Sequence, residues 1–157
     1  MKVFVAGASG VLGTRLVPQL IDAGHDVVGS STSRAGADRL RGLGAEAIVL
    51  DILDREAVRR AVLEAAPDAL VHQATALSGV TDFKHFDRSF AQTNRLRTEG
   101  TDALLATARE AGVTRLVFQS YASARYAREG GWVKSESDPL DPHPLAAMRQ
   151  GFEAMRY

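Results

Sequence analysis

The sequence predicts an α/β fold, a doubly wound parallel sheet of five strands in the order 3-2-1-4-5. Short apolar runs alternate with longer amphipathic segments along the chain, which is the pattern of repeated βαβ units. The strands are continuous apolar runs, as expected where helices cover both faces of a parallel sheet. A glycine-rich turn joins the first strand to the first helix. Right-handed crossovers restrict such a chain to a few topologies.

We predict the strands from short, β-branched apolar runs that are bounded by turn residues. They are Lys2–Ala6, Asp26–Ser30, Ala47–Leu50, Ala69–His72 and Leu116–Gln119. The helices are predicted from apolar residues at helical spacing and from capping residues. They are Val11–Ala23, Gly36–Leu43, a helix capped by Asp54 that ends near Ala65, Phe90–Ala111, and a last helix from about Leu145 to Tyr157. Pro18 interrupts the hydrogen bonding of the first helix and predicts a local kink.

Composition places the chain among ordinary globular proteins. Its 157 residues are 45% hydrophobic and 24% charged, which suits one domain with a sizeable core. Because 19 basic residues balance 19 acidic ones, no excess charge attracts nucleic acid or an anionic membrane. The chain has no cysteine, and its four histidines lack metal-ligand spacing, so we predict no metal site. No apolar run reaches the ~20 residues of a membrane helix, and we expect a cytoplasmic protein.

The segment Gly7–Gly13, with the sequence GASGVLG, carries the strongest indication of function. Gly7 allows a tight turn, Gly10 lets backbone amides approach a pyrophosphate, and Gly13 lets the helix pack closely on the strand. The N-terminus of the helix adds free N–H groups and a positive dipole. The pattern predicts a dinucleotide-binding loop, and the alternative is a glycine turn without a ligand. The loop residues that we assign to the ligand are Gly7, Ser9, Gly10, Val11, Leu12 and Gly13.

With this glycine spacing, Gly-x-x-Gly-x-x-Gly, the chain resembles the extended short-chain dehydrogenase/reductases, the NAD-dependent epimerase/dehydratase family. The resemblance covers essentially the whole chain. It implies a Rossmann domain that binds NAD(P), in an oxidoreductase or epimerase that acts on a carbonyl compound or a sugar nucleotide. The family's enzymes continue into a sixth strand and a substrate-binding region. We therefore expect residues 1–157 to be the dinucleotide-binding domain, with the C-terminal substrate-binding region absent.

Two more segments resemble the family's cofactor site. Val49–Asp51 is similar to the strand end whose acidic residue holds the adenine amino group. Leu70–Thr75 is similar to the fourth-strand motif that runs beside the cofactor ribose. The cofactor residues implied by these matches are Asp51, Ile52, Gln73, Ala74 and Thr75. For Asp51 a helix-capping or turn role is the alternative, and we predict His72 to be a packed core histidine rather than a catalyst.

The end of the second strand bears on the choice between NAD and NADP. A carboxylate there bonds the ribose 2′-hydroxyl of NAD, whereas an arginine accommodates the 2′-phosphate of NADP. The stretch Ser30–Arg34 contains four hydroxyls and an arginine but no carboxylate. Because a guanidinium binds phosphate bidentately, we predict NADP over NAD, with Thr32 and Arg34 as ligands and Arg39 as a second candidate. The alternative is an Arg34 that points into solvent beside a simple turn.

The catalytic motif is where the chain departs from the family. The family uses a Ser or Thr and a Tyr-x-x-x-Lys pair, in which the lysine lowers the pKa of the tyrosine that acts as acid and base. No Tyr-x-x-x-Lys occurs in this chain. By the family's register, Leu145 stands at the tyrosine position and Arg149 at the lysine position.

The remaining catalytic candidates stay open. Ser120 or Ser123 matches the family's serine, and Tyr126 or Tyr121 could supply the acid. Asn94 lies one helical turn before the family's asparagine position, which Arg97 occupies. We predict the segment Tyr121–Pro144 to be irregular, either a lid over the site or a surface loop.

Two functions follow from these observations. The first is an NAD(P)-dependent enzyme of the oxidoreductase or epimerase type, with a small-molecule substrate and no nucleic-acid or membrane partner. The second is a non-catalytic dinucleotide-binding sensor or regulatory module. The unpaired edge of the fifth strand also raises the prospect of a homodimer, because such edges invite association.

Overall fold

In the computed structural model, which describes residues 1–78, 80, 82, 84–120, 126–143 and 146–156, five parallel strands form one sheet. The strands are β1 (Lys2–Ala6), β2 (Asp26–Ser31), β3 (Glu46–Val49), β4 (Ala69–His72) and β5 (Arg115–Phe118). Their order, β3-β2-β1-β4-β5, confirms the predicted topology. All four pairings are parallel, and each predicted strand boundary lies within one residue of the observed one.

Six α-helices are described. They are α1 (Gly13–Asp22), α2 (Arg34–Gly42), α3 (Arg55–Ala65), α4 (Phe86–Arg95), α5 (Thr101–Glu110) and α6 (Arg149–Arg156). A π-helical segment, Leu96–Gly100, joins α4 to α5, and a 3-10 turn, Ala146–Met148, precedes α6.

Four helix predictions need correction. The first helix begins at Gly13 rather than Val11, because the glycine turn continues to Leu12. The second begins at Arg34 rather than Gly36, because Ser33 accepts a hydrogen bond from the Gly36 N–H at 3.1 Å and so caps the helix. The segment predicted as one helix over Phe90–Ala111 starts four residues earlier and is interrupted by the π-helical segment. The last helix begins after a 3-10 turn, and its predicted first residue lies outside the described part.

The core lies on both faces of the sheet, because successive side chains of a strand point to opposite sides. On one face, Phe4 of β1 belongs to a buried cluster that includes Val62 of α3 and Leu104 of α5. On the other face, Val5 packs in a cluster with Val17 of α1. These two layers hold the central strand rigidly and fix where its carboxyl end lies.

The segment 126–143 follows the sheet and contains no helix or strand in the structure apart from a single antiparallel bridge between Tyr126 and Leu140. The Ala127 N–H donates to the Pro139 carbonyl at 2.8 Å, which holds the two ends of the segment together. Trp132 lies between these ends and is fully exposed. The irregular character predicted for this segment is therefore confirmed over its described residues.

None of the helices in the described part of the chain is both long enough and apolar enough to cross a bilayer.

Candidate functional site

The glycine loop lies at the carboxyl end of β1, and its first and last glycines pack tightly against neighbouring backbone. Gly7 has a φ of +78°, and a Cβ there would lie 2.5 Å from the Cα of Ala74. A Cβ on Gly13 would lie 2.3 Å from the carbonyl oxygen of Ala8. The Gly10 N–H closes the turn by donating to the Gly7 carbonyl at 3.1 Å. Side chains are therefore excluded from both ends of the turn, as the sequence predicts for Gly7 and Gly13.

The start of α1 presents backbone donors beside this turn. In residues 7–16 the described hydrogen bonds leave the N–H groups of Val11, Leu12 and Gly13 without an acceptor in the protein. The side chains of Val11 and Leu12 are exposed. Free N–H groups at a helix N-terminus, next to a glycine-rich turn, suit a pyrophosphate. The residues present therefore fit the dinucleotide that the sequence predicts.

Two buried serines at the end of β2 hold the loop in place. Ser30 accepts a hydrogen bond from the Gly7 N–H at 3.0 Å, and Ser31 accepts one from the Ser9 hydroxyl at 2.8 Å. Ser30 is 1% exposed and Ser31 is 3% exposed. The hydroxyls of Ser30 and Ser31 are therefore used within the fold, and that of Ser33 caps α2, so the predicted ligand Thr32 has the hydroxyl of this stretch that the described hydrogen bonds leave available.

At this end of β2 the side chains of Thr32, Ser33 and Arg34 are exposed, and Ser33 is already engaged as the cap of α2. Thr32 follows the strand directly, and Arg34 is the first residue of α2. Among the described residues, Arg34 forms no ion pair. Arg39 is also exposed, in the same helix. A cation and a hydroxyl thus remain at the position where the sequence predicts a 2′-phosphate.

The predicted adenine contacts lie beyond the end of β3. Asp51 is exposed, and its Oδ1 accepts a hydrogen bond from the Leu53 N–H at 2.9 Å, so it closes a turn. Its second carboxylate oxygen makes no described hydrogen bond. Ile52 is 2% exposed and its side chain belongs to the core cluster, so only its backbone can contact a ligand.

The loop after β4 lies against the glycine loop. Gln73 donates its N–H to the Ala6 carbonyl at 2.8 Å, and Ala74 makes the close approach to Gly7. The Oε1 atom of Gln73 is buried and has no described hydrogen-bond partner. A buried unpartnered acceptor costs free energy, which a ligand that donates a hydrogen bond would recover. This fits the predicted cofactor contact of Gln73 and Ala74.

His72 ends β4 and is 5% exposed, which confirms the predicted core histidine. Its Nε2 lies 3.0 Å from the Leu96 carbonyl, and its Nδ1 accepts a hydrogen bond from the Ala74 N–H at 3.3 Å. Burial lowers the pKa of this imidazole, which opposes protonation. Neutral His72 therefore ties the loop after β4 to the π-helical segment. No pattern in the sequence indicates this role, because Leu96 lies 24 residues away.

A cavity of about 300 Å³ opens between the carboxyl ends of β4 and β5. Polar side chains line it from three elements of the fold, namely Gln73, Thr75, Arg97, Thr101, Gln119 and Ser120. The structure thus brings Ser120, a predicted catalytic serine, together with the loop after β4. Arg97 lines this cavity, whereas Asn94 is buried near Gly151 of α6. Neither Arg97 nor Thr101 was predicted as a site residue.

In the part of the chain that the structure describes, the other catalytic candidates do not line this cavity. Tyr126 lies in the bridge with Leu140, and Arg149 is the exposed first residue of α6. Neither lines the described part of the cavity. Ser123, Tyr121 and Leu145 lie outside the described residues. The catalytic roles predicted for Tyr126, Arg149, Ser123 and Tyr121 therefore stay predictions.

Within the part of the chain that the structure describes, no group of three or more His, Cys, Asp or Glu side chains is placed to hold a metal ion.

Comparison with known proteins gives a consistent result. The model of the NAD dependent epimerase/dehydratase family matches residues 3–148. The chain is 44% identical, over 99% of its length, to the 3-diazoavenalumate denitrifying reductase of a Streptomyces species, and covers 51% of that protein. It is 32% identical, over 93% of its length, to the 4-hydroxy-2-methyl-3-oxo-4-farnesyl-3,4-dihydroquinoline-1-oxide ketoreductase of Stigmatella aurantiaca, and covers 41% of it.

A similar fold is found among solved structures. The UDP-glucose 4-epimerase of Thermus thermophilus, solved in complex with NAD, superposes with a TM-score of 0.76 and 27% identity. The match covers 98% of this chain and 49% of that one. The chain thus spans about half the length of the proteins that it matches. Sequence, fold and glycine loop agree, and the chain belongs to the NAD-dependent epimerase/dehydratase family.

Proposed function

We propose that this chain is the dinucleotide-binding part of an NAD(P)-dependent reductase, and that it prefers NADPH to NADH. The observation that carries the proposal is the glycine loop, where the close approach of Gly7 to Ala74 leaves no room for a side chain. Family membership supports the same cofactor class, and the two curated relatives named above are reductases. These relatives favour reduction over epimerisation as the reaction.

The residues that would hold the dinucleotide follow from the site. The N–H groups of Val11, Leu12 and Gly13 would bind its pyrophosphate, and Thr32 and Arg34 would bind the 2′-phosphate. The bound nicotinamide would supply a hydride to the substrate. At the cavity, the Ser120 hydroxyl is the group that could hold a substrate oxygen in place.

The test is a titration of the purified chain with NADPH and with NADH, followed by nucleotide fluorescence. We expect NADPH to bind more tightly. Arg34→Gln should weaken NADPH binding roughly tenfold or more and leave NADH binding unchanged, because only NADPH offers a second phosphate to the guanidinium. Arg39→Gln tests the second candidate, and Arg60→Gln on the exposed face of α3 is the matched control.

Three outcomes would contradict the proposal. Equal affinities for NADPH and NADH, or an Arg34→Gln variant with unchanged NADPH affinity, would remove the preference for NADP. Failure of the wild-type chain to bind either nucleotide would show that the glycine loop is not a working site in this chain.

A non-catalytic dinucleotide-binding module is the second candidate. It is favoured by the leucine at position 145 and by the lack of any Tyr-x-x-x-Lys in the sequence. Leucine cannot transfer a proton, so this function predicts nucleotide binding without turnover. Monitoring NADPH absorbance with a panel of ketones and aldehydes separates the two candidates. Consumption of NADPH supports the reductase, and stable NADPH supports the module.

A further inference from the structure

Two backbone hydrogen bonds of opposite kind hold the imidazole of His72. A carbonyl oxygen only accepts, so Nε2, which lies 3.0 Å from the Leu96 carbonyl, carries a proton. A backbone N–H only donates, so Nδ1, which lies 3.3 Å from the Ala74 nitrogen, carries none. The two partners therefore select a single protonation state of the ring, the neutral tautomer with its proton on Nε2.

Protonation of His72 would break one of these two bonds. The imidazolium has a donor at both nitrogens, so Nδ1 would face the Ala74 N–H donor to donor. The new charge would also be buried, because His72 is 5% exposed. Burial lowers the pKa of the imidazole, and the hydrogen bond to the Leu96 carbonyl offsets only part of this effect. The ring is therefore neutral near neutral pH and becomes charged only below the ordinary value of about 6.5.

Arg97 shares the cavity of His72 and opposes its protonation, because a cation disfavours a second cation nearby. The neighbours of His72 in the sheet, Ala6 of β1 and Phe118 of β5, are uncharged. Other charged side chains of the elements packed around His72 lie at least partly in solvent. They are Asp51 after β3, Arg95 and Glu99, which form an ion pair, and Asp102, which pairs with Arg55 of α3.

The Ala74 end of this arrangement touches the glycine loop. A Cβ on Gly7 would lie 2.5 Å from the Ala74 Cα and 2.6 Å from the Ala74 nitrogen. The nitrogen that donates to His72 is thus an atom against which Gly7 packs. Loss of this hydrogen bond would free the loop 73–75 at the place where it supports the turn that suits a pyrophosphate.

We propose that His72 is a positioning residue for the dinucleotide, and that protonation of its imidazole weakens dinucleotide binding by releasing the loop 73–75 from Gly7. This inference rests on the proposed function and adds to it a regulation of the same site by pH. Neutral His72 is the state that binds. The apparent dissociation constant therefore rises as the neutral fraction falls, by about tenfold for each pH unit below the pKa of His72.

The experiment measures the affinity of the chain for NADP⁺ by isothermal titration calorimetry between about pH 8 and pH 5. The oxidised nucleotide is used because NADPH decomposes in acid. Wild-type affinity should be constant in its His72 contribution above pH 6.5 and should decline below it. The 2′-phosphate also titrates, near pH 6, but it does so equally in every variant. The difference between the pH profiles of wild type and a variant therefore isolates the histidine.

Two substitutions separate the two hydrogen bonds of His72. In His72→Asn the new side-chain oxygen takes the place of Nδ1 and still accepts from Ala74, whereas in His72→Gln the new amide nitrogen takes the place of Nε2 and still donates to Leu96. Neither side chain titrates, so both variants should lose the histidine part of the pH profile. At pH 7.5, His72→Gln should bind NADP⁺ about tenfold more weakly than His72→Asn, because the Ala74 N–H has lost its acceptor. His143→Asn, at an exposed position, is the matched control and should keep the wild-type profile.

Two results would overturn the inference. One is a wild-type pH profile that superimposes on that of His72→Asn. The other is a His72→Gln variant that binds NADP⁺ at least as tightly as His72→Asn at pH 7.5. Circular dichroism at each pH establishes that the chain and its variants are folded over the range compared.

Failure of the proposed function has a different signature. A folded wild-type chain that binds no dinucleotide at any pH would refute the proposed function, and NMR of the free chain then tests the inference alone. The amide resonance of Ala74 should shift with the same midpoint as the His72 ring. An Ala74 amide that does not respond to protonation of His72 would overturn the inference independently of binding.

Discussion

At the carboxyl ends of β1 and β2 the backbone segments pack so closely that a side chain on Gly7 would clash. At the carboxyl ends of β4 and β5 the chain instead leaves a cavity of about 300 Å³. In the first region, Gly7 and the buried Ser30 fix the backbone of the turn and leave its N–H groups available. In the second, side chains from the β4 loop, the α4–α5 connection and β5 surround open space. The first region suits a ligand group common to many enzymes, and the second suits a group that varies with the substrate.

The largest expected effect is that of Gly7→Ala. A methyl group at this position would meet Ala74 at 2.5 Å, and an alanine is strained at a φ of +78°. We expect a loss of roughly 2–4 kcal/mol in the free energy of unfolding, together with loss of NADPH binding. Urea denaturation followed by circular dichroism measures the stability.

The matched control for this change is Gly42→Ala, the last residue of α2. A Cβ there meets nothing within 4 Å. The variant should be neutral or more stable by roughly 0.5–1 kcal/mol, because alanine favours the helix. If Gly7→Ala behaved like Gly42→Ala, the tight packing of the first region would not matter to its function.

Ser30→Ala tests the same region and should have a smaller effect on stability than Gly7→Ala. It leaves the Gly7 N–H without its buried acceptor and should lower the free energy of unfolding by about 1–3 kcal/mol. NADPH affinity should fall as well, because Gly7 belongs to the turn that binds the pyrophosphate. Ser137→Ala, on the exposed segment, should stay within about 0.5 kcal/mol of wild type. Wild-type affinity in Ser30→Ala would show that the turn holds its shape without this bond.

His72 provides a test of the second region through pH. Because its pKa is lowered in the folded chain, the unfolded chain binds the proton more readily once the pH falls below the ordinary value near 6.5. The contribution to stability is full above that value and declines as the pH falls towards the lowered pKa. We expect wild-type stability to drop as the pH falls below about 6.5 for this reason.

The smallest expected difference is between two histidine variants in this pH series. His72→Asn should be less stable throughout and should lose the part of the pH dependence that His72 contributes. His143→Asn, at an exposed position, should keep the wild-type slope. Identical slopes in wild type and His72→Asn would contradict the role assigned to the buried imidazole.

The fold could be predicted because its determinants are local. Runs such as Lys2–Ala6 and the spacing of the three glycines lie within short stretches, and right-handed crossovers then restrict the topology. The interruption of the long helix could not be predicted, because the π-helical segment is held by His72 from a distant strand. Helical periodicity alone contains no information about that contact.

The site could be predicted only in part, because some of its residues come together only in the folded chain. The loop residues follow from their spacing, but hydroxyls in Ser30–Arg34 look alike in sequence, and only burial separates Ser30 and Ser31 from Thr32. Likewise Arg97 and Ser120 line the same cavity although they lie far apart in the sequence, because β5 pairs with β4 in the sheet. Such meetings depend on tertiary structure, which no single segment encodes.

The exposed indole of Trp132 has a consequence for spectroscopy. It is the sole tryptophan of the chain, and its surroundings are already water in the folded state. Unfolding of the sheet should therefore change its emission very little, which is why circular dichroism is the suitable probe of stability. Energy transfer from this indole to bound NADPH would instead report how closely the segment 126–143 approaches the nucleotide, so one native fluorophore can follow that segment without a label.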